Sequence, residues 1–422
     1  MSCWSDASRH PPRNAPLVFQ RKLLCTVALS GAAVATTSLV GCDTGNTEPT
    51  GIDKVALGRV DGKDRAMLLM DLLQSYFVHR LANISKEYDD PTVEYPEKAF
   101  KVVNWLRNEG INGGGSRFQV ENSAMFNRAS VNVSSMDYHD RPQYPIKAVN
   151  ALSVILHPRN PYAPSIHFHL CYMETRHGSP YWRMIADLNP SIPRHEDTLM
   201  FKDSLRPVFD KYPQMFEDAM DFGKHYFYIP TMDRTRGVAH LFVAKLSDDE
   251  VSTDSATNLA ATLAETVIDT YTQIVEDALR RNPINSITKD ARDAQIAYHT
   301  LYLFQVITLD RGTTYGLLAH NQNDIGTLGS IPTVVDRSLL ERWVAHVELP
   351  PLTSILLRNV VNALPSNVES DSSLCNITDE IRQVLANTVR NHFKDNPEAV
   401  ALQAAMDMQS WEKRQKTYKA RT

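Results

Sequence analysis

The feature that most constrains this chain is a series of short segments in its middle, rich in β-branched and aromatic residues and separated by Pro and Gly. The segments predicted as strands are 129–134, 149–156, 166–173 and 181–187. The links between them are turn-like and none shows a crossover helix, so the pattern predicts antiparallel pairing. A further strand is predicted at 238–244.

Helical periodicity lies on both sides of these strands in the sequence. Apolar residues recur every three or four positions from 63 to 86, which predicts an amphipathic helix. The other segments predicted as helices are 97–107, 197–209, 214–224, 258–281, a stretch after Pro283, 338–347, 379–394 and 399–421. Two more strands are predicted, one at 301–309 and one from the turn at Asp310 to Leu318. The predicted class is therefore α+β.

The N-terminus has the layout of a secretory signal, because basic residues precede a mostly apolar stretch at 23–40. That stretch ends in Leu-Val-Gly-Cys at 39–42, which matches the bacterial lipobox. The pattern predicts a signal peptide at 1–41, lipidation of Cys42, a polar tether at 42–54 and a folded domain at 55–422. An ordinary cleaved signal or a misplaced start codon are the alternatives.

If Cys42 is lipidated, the protein is anchored in the bacterial cell envelope. Asp43 follows it, and in enterobacterial lipoproteins, which this pattern resembles, an aspartate there favours retention on the periplasmic side of the inner membrane. Cys171 and Cys375 are the cysteines beyond the lipobox, and they form either one disulfide or two free buried thiols. The net charge of -5 and the pI of about 6.3 argue against a nucleic-acid partner.

Generic catalytic motifs give little information here. The chain has no GxGxxG, GxxxxGK[ST], HExxH, CxxC or GxSxG pattern. The glycine run at 113–115 has no lysine at P-loop spacing and favours a turn with positive φ. His167 and His169 share a face of their predicted strand and suggest a proton-transfer pair, a metal pair or a core role. No further metal ligand is evident, so no metal is predicted.

The segment 157–168, HPRNPYAPSIHF, closely resembles a signature of the oxygen-dependent coproporphyrinogen III oxidases, HPRNPxAPTxHFNYRYFE. Other matching segments follow in the family's order, including the glycine run, Asp-Leu-Asn-Pro at 187–190, Arg-Gly-Val at 236–238 and Asp-Arg-Gly-Thr at 310–313. The resemblance covers roughly residues 67–346. It implies a large antiparallel β-sheet flanked by α-helices on both faces, and a homodimer.

The resemblance also implies an activity, the oxidative decarboxylation of two porphyrinogen propionates to vinyl groups in haem biosynthesis. Molecular oxygen is the co-substrate, with no metal and no organic cofactor. By position, Asp187 matches the aspartate that faces the pyrrole nitrogens, and His167 matches the histidine of the HF motif, so the resemblance implies that these two are the catalytic residues. We expect four further residues to bind substrate, and these are Arg159, Asn160, Arg183 and Arg311.

This chain departs from the family where the substrate is expected. Cys171 stands where NYRYFE has its arginine, and a thiol cannot bind a carboxylate as a guanidinium does. A glycine triplet before DLTP becomes Arg-Met-Ile at 183–185, TPGSRxES becomes 319–324, and HRxExRRGxGG becomes 231–240. Two functions therefore stay open, an oxidase with altered carboxylate recognition and a non-catalytic envelope lipoprotein that binds a tetrapyrrole or another ligand. A structural envelope protein is a third possibility if Met184 and Ile185 fill the pocket.

The sequence also leaves the role of Asp187 open. An aspartate before a Leu-Asn-Pro turn can cap the local backbone instead of contacting substrate.

Overall fold

The computed structural model describes residues 51–88, 100–229, 232–251, 255–319, 321–365 and 373–403. They all belong to one compact unit, Pro49–Thr422. The predicted signal peptide, Cys42 and most of the tether lie outside these residues. The helix predicted at 399–421 also lies outside them, except for its first residues. Where the description begins, Ile52 is already buried and its amide donates to Glu265 at 2.8 Å.

A seven-stranded antiparallel sheet forms the centre of the fold, and it confirms the strand predictions for the middle of the chain. The strands are β1 (Lys101–Leu106), β2 (Gly113–Glu121), β3 (Phe126–Asp137), β4 (Ile146–Pro158), β5 (Ser165–Thr175), β6 (Tyr181–Asn189), β7 (Tyr228–Ile229), β8 (Arg234–Thr235), β9 (Ala239–Leu246), β10 (Val334–Asp336) and β11 (Leu374–Asn376). The large sheet has the order β1-β2-β3-β4-β5-β6-β9, and the remaining strands pair as β7-β8 and β10-β11. Nearest neighbours in sequence are thus neighbours in space, as short links require.

Helices precede and follow the sheet strands. They are α1 (Lys54–Leu57), α2 (Gly62–Tyr88), α3 (His195–Leu205), α4 (Pro213–Tyr226), α5 (Ala256–Arg281), α6 (Lys289–Thr308), α7 (Arg311–Ala319), α8 (Asp324–Thr327), α9 (Arg337–His346), α10 (Pro351–Ala363) and α11 (Asp379–Asp395). Short 3₁₀ segments include Asn321–Asn323 and Leu328–Ser330. Among the described residues, no helix combines the length and the apolarity that crossing a membrane needs.

One face of the sheet is apolar and packs against helices. Phe168 and Leu170 of β5 are fully buried on this face, among side chains of α2, α3 and α5 such as Phe77 and Tyr271. Alternation in β3 to β6 supplies a continuous aliphatic layer, because every second residue of each strand points the same way. Burial of this layer is the main hydrophobic stabilisation of the N-terminal part of the fold.

The opposite face is polar and lies beneath a second helical layer. Tyr302 of α6 packs against Ile155 of β4, and Arg117 of β2 donates to Asn323 at 3.2 Å. Behind α6, helices α9, α10 and α11 build a separate hydrophobic core. Helices therefore flank the sheet on both faces, which confirms the predicted fold class.

Three local predictions are wrong. The helix predicted at 97–107 is contradicted by the edge strand β1 at 101–106, in which Trp105 points inward. The segment 301–309 belongs to helix α6, where every residue from Tyr298 to Thr308 is buried. A helix buried all round shows no polar stripe, so its apolar run reads like a buried strand. The strand predicted from the turn at Asp310 to Leu318 is helix α7 instead.

The glycine run also differs from its prediction as a turn. Gly113 does have a positive φ of 96°, yet the run opens strand β2. A Cβ on Gly115 would lie 2.5 Å from the carbonyl oxygen of Val133 and 2.8 Å from the Trp105 ring. Glycine is needed here because a neighbouring strand and an indole ring approach the backbone closely.

Candidate functional site

A row of three ionisable side chains crosses the polar face at one end of the sheet. In the register of the sheet, His167 of β5 lies opposite Asp187 of β6, and Asp187 lies opposite His240 of β9. The Nδ1 atom of His167 is 3.3 Å from Oδ1 of Asp187. The two residues singled out as catalytic in the sequence are therefore brought together, on rigid strands rather than on loops.

Asp187 is a fully buried carboxylate whose two oxygens have different surroundings. Its Oδ2 accepts hydrogen bonds from Arg236 at 2.8 Å and from Asn189 at 2.7 Å. Its Oδ1 has no hydrogen-bond partner among the described residues, the contact with His167 being poorly aligned for one. Asp187 therefore accepts hydrogen bonds from the side chains of Arg236 and Asn189, and not from backbone amides of the Leu-Asn-Pro turn as a backbone cap would.

The charge of Asp187 is fixed by its neighbours. Burial alone raises the pKa of a carboxyl, but Arg236, His167 and His240 outweigh burial and lower the pKa of Asp187 to about 2. Asp187 is thus an anion at neutral pH. A buried anion whose second oxygen has no well-aligned hydrogen bond is a strong acceptor for N–H donors of a ligand.

Arg236 holds this carboxylate from behind. Its guanidinium lies over the rings of Phe227 and Tyr302, at 4.7 and 5.0 Å from their centroids. Burial lowers the pKa of an arginine, but the Asp187 carboxylate holds the pKa of Arg236 above its ordinary value. Gly237 comes next with φ 77°, and a Cβ there would lie 2.7 Å from the Leu188 carbonyl oxygen. The glycine lets the chain turn so closely against β6 that Arg236 reaches Asp187.

A second and a third row continue the polar face away from Asp187. His169 lies two residues beyond His167, and its Nδ1 is 2.7 Å from the Ser153 hydroxyl. Burial lowers the pKa of His169 to about 3, so this imidazole is neutral at neutral pH. In the next row Cys171 lies directly opposite Arg183. Both Cys171 and Cys375 are buried free thiols, in agreement with the alternative that had no disulfide.

Arg183 therefore occupies the strand position beside Cys171. Its guanidinium lies 5.8 Å from the centroid of the Phe242 ring, and its Nε donates weakly to the Ala244 carbonyl at 3.4 Å. Arg183 is half-buried and faces the same way as Asp187, four residues along the strand. At about 3.3 Å per residue the two backbones are roughly 13 Å apart, about the span of a bulky ligand.

Of the other residues expected to bind substrate, Arg159 and Asn160 lie in the link between β4 and β5, and the side chain of Arg311 is not described. Arg159 donates to the Ser123 carbonyl at 2.5 Å, and Asn160 donates to the Asn282 carbonyl at 2.7 Å. Both contacts are with backbone, and they fix the link between β4 and β5. Arg311 begins helix α7, but its side chain is not among those described.

A metal centre does not emerge from the residues that the structure describes. His167 and His169 do share a face, as their spacing requires, yet His167 lies beside Asp187 and His169 beside Ser153. Within the described ranges, no group of three or more His, Cys, Asp and Glu is placed to hold a metal ion.

Sequence reasoning missed Arg236, Asn189 and His240 as members of the site. The signal was present for Arg236, because an arginine followed by glycine just before a strand can place its side chain on a neighbouring strand. His240 lies opposite Asp187 only in the register of β6 and β9. The alternation of apolar residues decides which face of the sheet His240 lies on, but it does not decide which residue of β6 lies opposite.

Comparison with known proteins identifies the ancestry of this arrangement. A family model described as coproporphyrinogen III oxidase matches residues 69–339, more than half of the chain. The chain belongs to this family. The oxygen-dependent coproporphyrinogen-III oxidase of Rickettsia rickettsii (strain Sheila Smith) is 25% identical over 284 residues, 63% of this chain and 97% of that protein.

Mitochondrial relatives are matched over a smaller share of their length. The mitochondrial oxygen-dependent coproporphyrinogen-III oxidase of Rattus norvegicus is 27% identical over 277 residues, 60% of this chain and 59% of that protein. The human one is 26% identical over 267 residues, 58% of this chain and 56% of that protein. The chain thus spans less than two thirds of these relatives.

The departures from the family pattern within β5, β6 and β9 are neighbours in the structure. Cys171 faces Arg183, His169 faces Ile185, and Asp187 faces His240 across the strands β5, β6 and β9. All six side chains lie on the polar face of the sheet. The divergence from the family therefore alters one continuous surface around a retained histidine and aspartate.

Proposed function

We propose that this protein is an oxygen-dependent oxidase of porphyrinogen propionates, of the coproporphyrinogen III to protoporphyrinogen IX type. The observation that carries the proposal is the buried, ionised Asp187 on the polar face, whose Oδ2 is held by Arg236 and Asn189 while Oδ1 contacts only His167. Membership of the family and the names of its relatives support the same activity.

The expected reaction balances without any group beyond oxygen. Each propionic acid loses carbon dioxide and two hydrogens and becomes a vinyl group, while one molecule of oxygen becomes hydrogen peroxide. In this protein Asp187 would accept pyrrole N–H groups and stabilise positive charge that develops on the ring. His167, 3.3 Å from it, would orient the carboxylate and move a proton at Nδ1.

Arg183 supports a shifted site for substrate carboxylates. It lies opposite Cys171, where the family's pattern has arginine, so a guanidinium stays in this row although it comes from the neighbouring strand. Arginine binds a carboxylate through two parallel hydrogen bonds, which a thiol cannot replace. We expect Arg183 to hold one of the propionates. Arg311 is a further candidate, and Arg159 and Asn160 would act by fixing the loop beside the site.

The activity test is incubation of the protein with coproporphyrinogen III in air, with detection of protoporphyrin by fluorescence after oxidation of the product. Asp187→Asn keeps the shape of the side chain and should lower kcat/KM at least about a hundredfold. Activity should survive exhaustive dialysis against a chelator if no metal takes part. An active Asp187→Asn variant would contradict the role of the carboxylate.

The propionate site has its own test. Arg183→Gln should raise KM about tenfold or more, and adding Cys171→Arg to that variant should restore part of the loss. Equal KM values for the protein and Arg183→Gln would exclude this residue as the carboxylate partner.

A non-catalytic binding protein is the second candidate function. The bulk of Arg183 and Ile185 where the family's pattern has glycine favours it, because both side chains lie on the polar face. Tight binding of coproporphyrinogen III without oxygen uptake, in a protein whose Asp187→Asn variant binds poorly, would establish this candidate and overturn the oxidase.

We also propose a lipid-anchored homodimer on the periplasmic side of the bacterial inner membrane. The support is the lipobox ending in Cys42 and the dimers implied by the family resemblance. Radiolabelled palmitate should enter the protein and not its Cys42→Ser variant. Light scattering of the Cys42→Ser variant should give the mass of two chains, and a single-chain mass would contradict the dimer.

A further inference from the structure

His240 is a buried histidine beside Asp187, on the side opposite to His167. It lies on β9 in register with Asp187, and it is 6% exposed. The family's pattern HRxExRRGxGG ends in two glycines where this chain has Ala239 and His240, so the imidazole is a feature of this protein. Any role of His240 towards a ligand rests on the proposed function of the same site.

Unsatisfied polar atoms gather around this position. Among the described residues, Nδ1 of His240 is buried without a hydrogen-bond partner. Oδ1 of Asp187 has only the contact with Nδ1 of His167, at 3.3 Å and without the alignment of a hydrogen bond. Buried polar groups in native proteins nearly always have a partner, since leaving one unpaired is costly. An unpaired imidazole nitrogen beside a carboxylate oxygen with a single misaligned contact therefore indicates the place of a polar ligand group.

The ring of His240 is held in a fixed position. It packs 5.4 Å from the ring of Phe227, centroid to centroid. Two glycines leave room for His240. A Cβ added to Gly237 would lie 3.0 Å from Cε1 of His240, and a Cβ added to Gly223 would lie 2.9 Å from Cβ of His240. A polar group that is held this tightly by packing is preorganised for a ligand.

The charge state of His240 suits hydrogen bonding rather than ion pairing. Burial lowers the pKa of His240 to about 4, in spite of the opposite effect of Asp187. A neutral imidazole has one nitrogen that accepts a hydrogen bond. Beside it, the anionic Oδ1 of Asp187 is a second acceptor.

We propose that His240 is a ligand-binding residue of this site, with Nδ1 accepting one pyrrole N–H while Oδ1 of Asp187 accepts a neighbouring one. The pair of acceptors selects a tetrapyrrole in its reduced, porphyrinogen form, in which every ring nitrogen carries a hydrogen. A flat oxidised porphyrin has only two such groups and offers fewer donors to the pair.

Anaerobic calorimetric titration with coproporphyrinogen III tests this assignment, because binding is measured without turnover. His240→Phe keeps a ring without nitrogen and should weaken binding about tenfold to a hundredfold. His240→Asn places an amide oxygen near the position of Nδ1, so its affinity should stay within about threefold of that of the unaltered protein. His240→Gln moves the amide towards Nε2 and should weaken binding like His240→Phe. His225→Phe, on the exposed side of α4, is the control.

The outcomes separate this inference from the proposed function. Normal binding by His240→Phe, together with loss of binding in Asp187→Asn, would overturn the role of His240 and leave the proposed function intact. Better binding by His240→Gln than by His240→Asn would also overturn it, and this contrast holds if His240→Phe does not fold. Failure of the unaltered protein to bind coproporphyrinogen III would overturn both.

Discussion

The two faces of the large sheet do different work, although they are made by the same strands. On one face Phe168 and Leu170 of β5 are fully buried among the side chains of α2 and α5. On the other face the alternate residues His167 and His169 of the same strand lie beside Asp187 and Ser153. The apolar face has its partners within the fold, whereas the polar face keeps unpaired acceptors.

The difference shows how a strand can carry stability and function at once. A period of two assigns successive residues to opposite faces, so one residue can change without moving its neighbour. In this chain the changes at Cys171, Arg183 and His240 all lie on the polar face, while the aliphatic layer still holds the strands. A sheet of this kind can change its ligand while keeping its fold.

The largest effect should come from the apolar face. Phe168→Ala removes a fully buried ring and should lower the free energy of unfolding by about 3–5 kcal/mol. His169→Ala, one residue further along β5, should cost only about 1–2 kcal/mol, since it removes one hydrogen bond and a half-buried, more polar ring. Urea denaturation of both variants measures the contrast. Equal losses would remove the distinction between the faces.

A smaller effect should come from the charged pair of the polar face. Arg236→Met and Asp187→Asn each leave a buried partner without its counterpart, so each alone should destabilise the protein. The double variant should lose about 2 kcal/mol less than the sum of the two single losses. Urea denaturation of the three variants measures this coupling energy. Additive losses would show that the pair contributes no coupling, contrary to the geometry.

Much of the fold was predictable from the sequence, but only part of the site was. The strands from β3 to β6 follow from their apolar alternate residues, and α2 and α5 follow from their periodicity. Helix α6 was not predictable as a helix throughout, because residues 298–308 are buried on all sides and show no polar stripe.

The site required information that a single strand does not contain. Asp187 and His167 were found through the motif that carries them. Arg236 and His240 lie near them only because β9 pairs with β6 in one particular register. A shift of two residues would have kept Leu241 and Val243 on the apolar face and still moved His240 away from Asp187.

The pH dependence of stability should originate from the polar side of the sheet. Burial lowers the pKa of His169 to about 3 and the pKa values of His240 and His299 to about 4, against an ordinary 6.5. Between pH 6.5 and about 4.5 the unfolded chain therefore binds protons that the folded protein does not. Stability should fall as the pH falls through this window, by about 1.4 kcal/mol per pH unit for each such histidine.

Asp187 affects stability at a lower pH than these histidines, so it does not contribute to the slope between pH 6.5 and about 4.5. Its pKa is lowered to about 2, so the stability it contributes is complete above its ordinary pKa and is lost only in strong acid. His169→Asn should therefore reduce the slope between pH 6.5 and 4.5 by about 1.4 kcal/mol per pH unit, as measured by urea denaturation at several pH values. Phe168→Ala should lower stability equally at every pH, because it removes no titrating group. If the plots of stability against pH are parallel for the unaltered protein and His169→Asn, the pKa of this imidazole is the same in the folded and unfolded chain, contrary to the prediction.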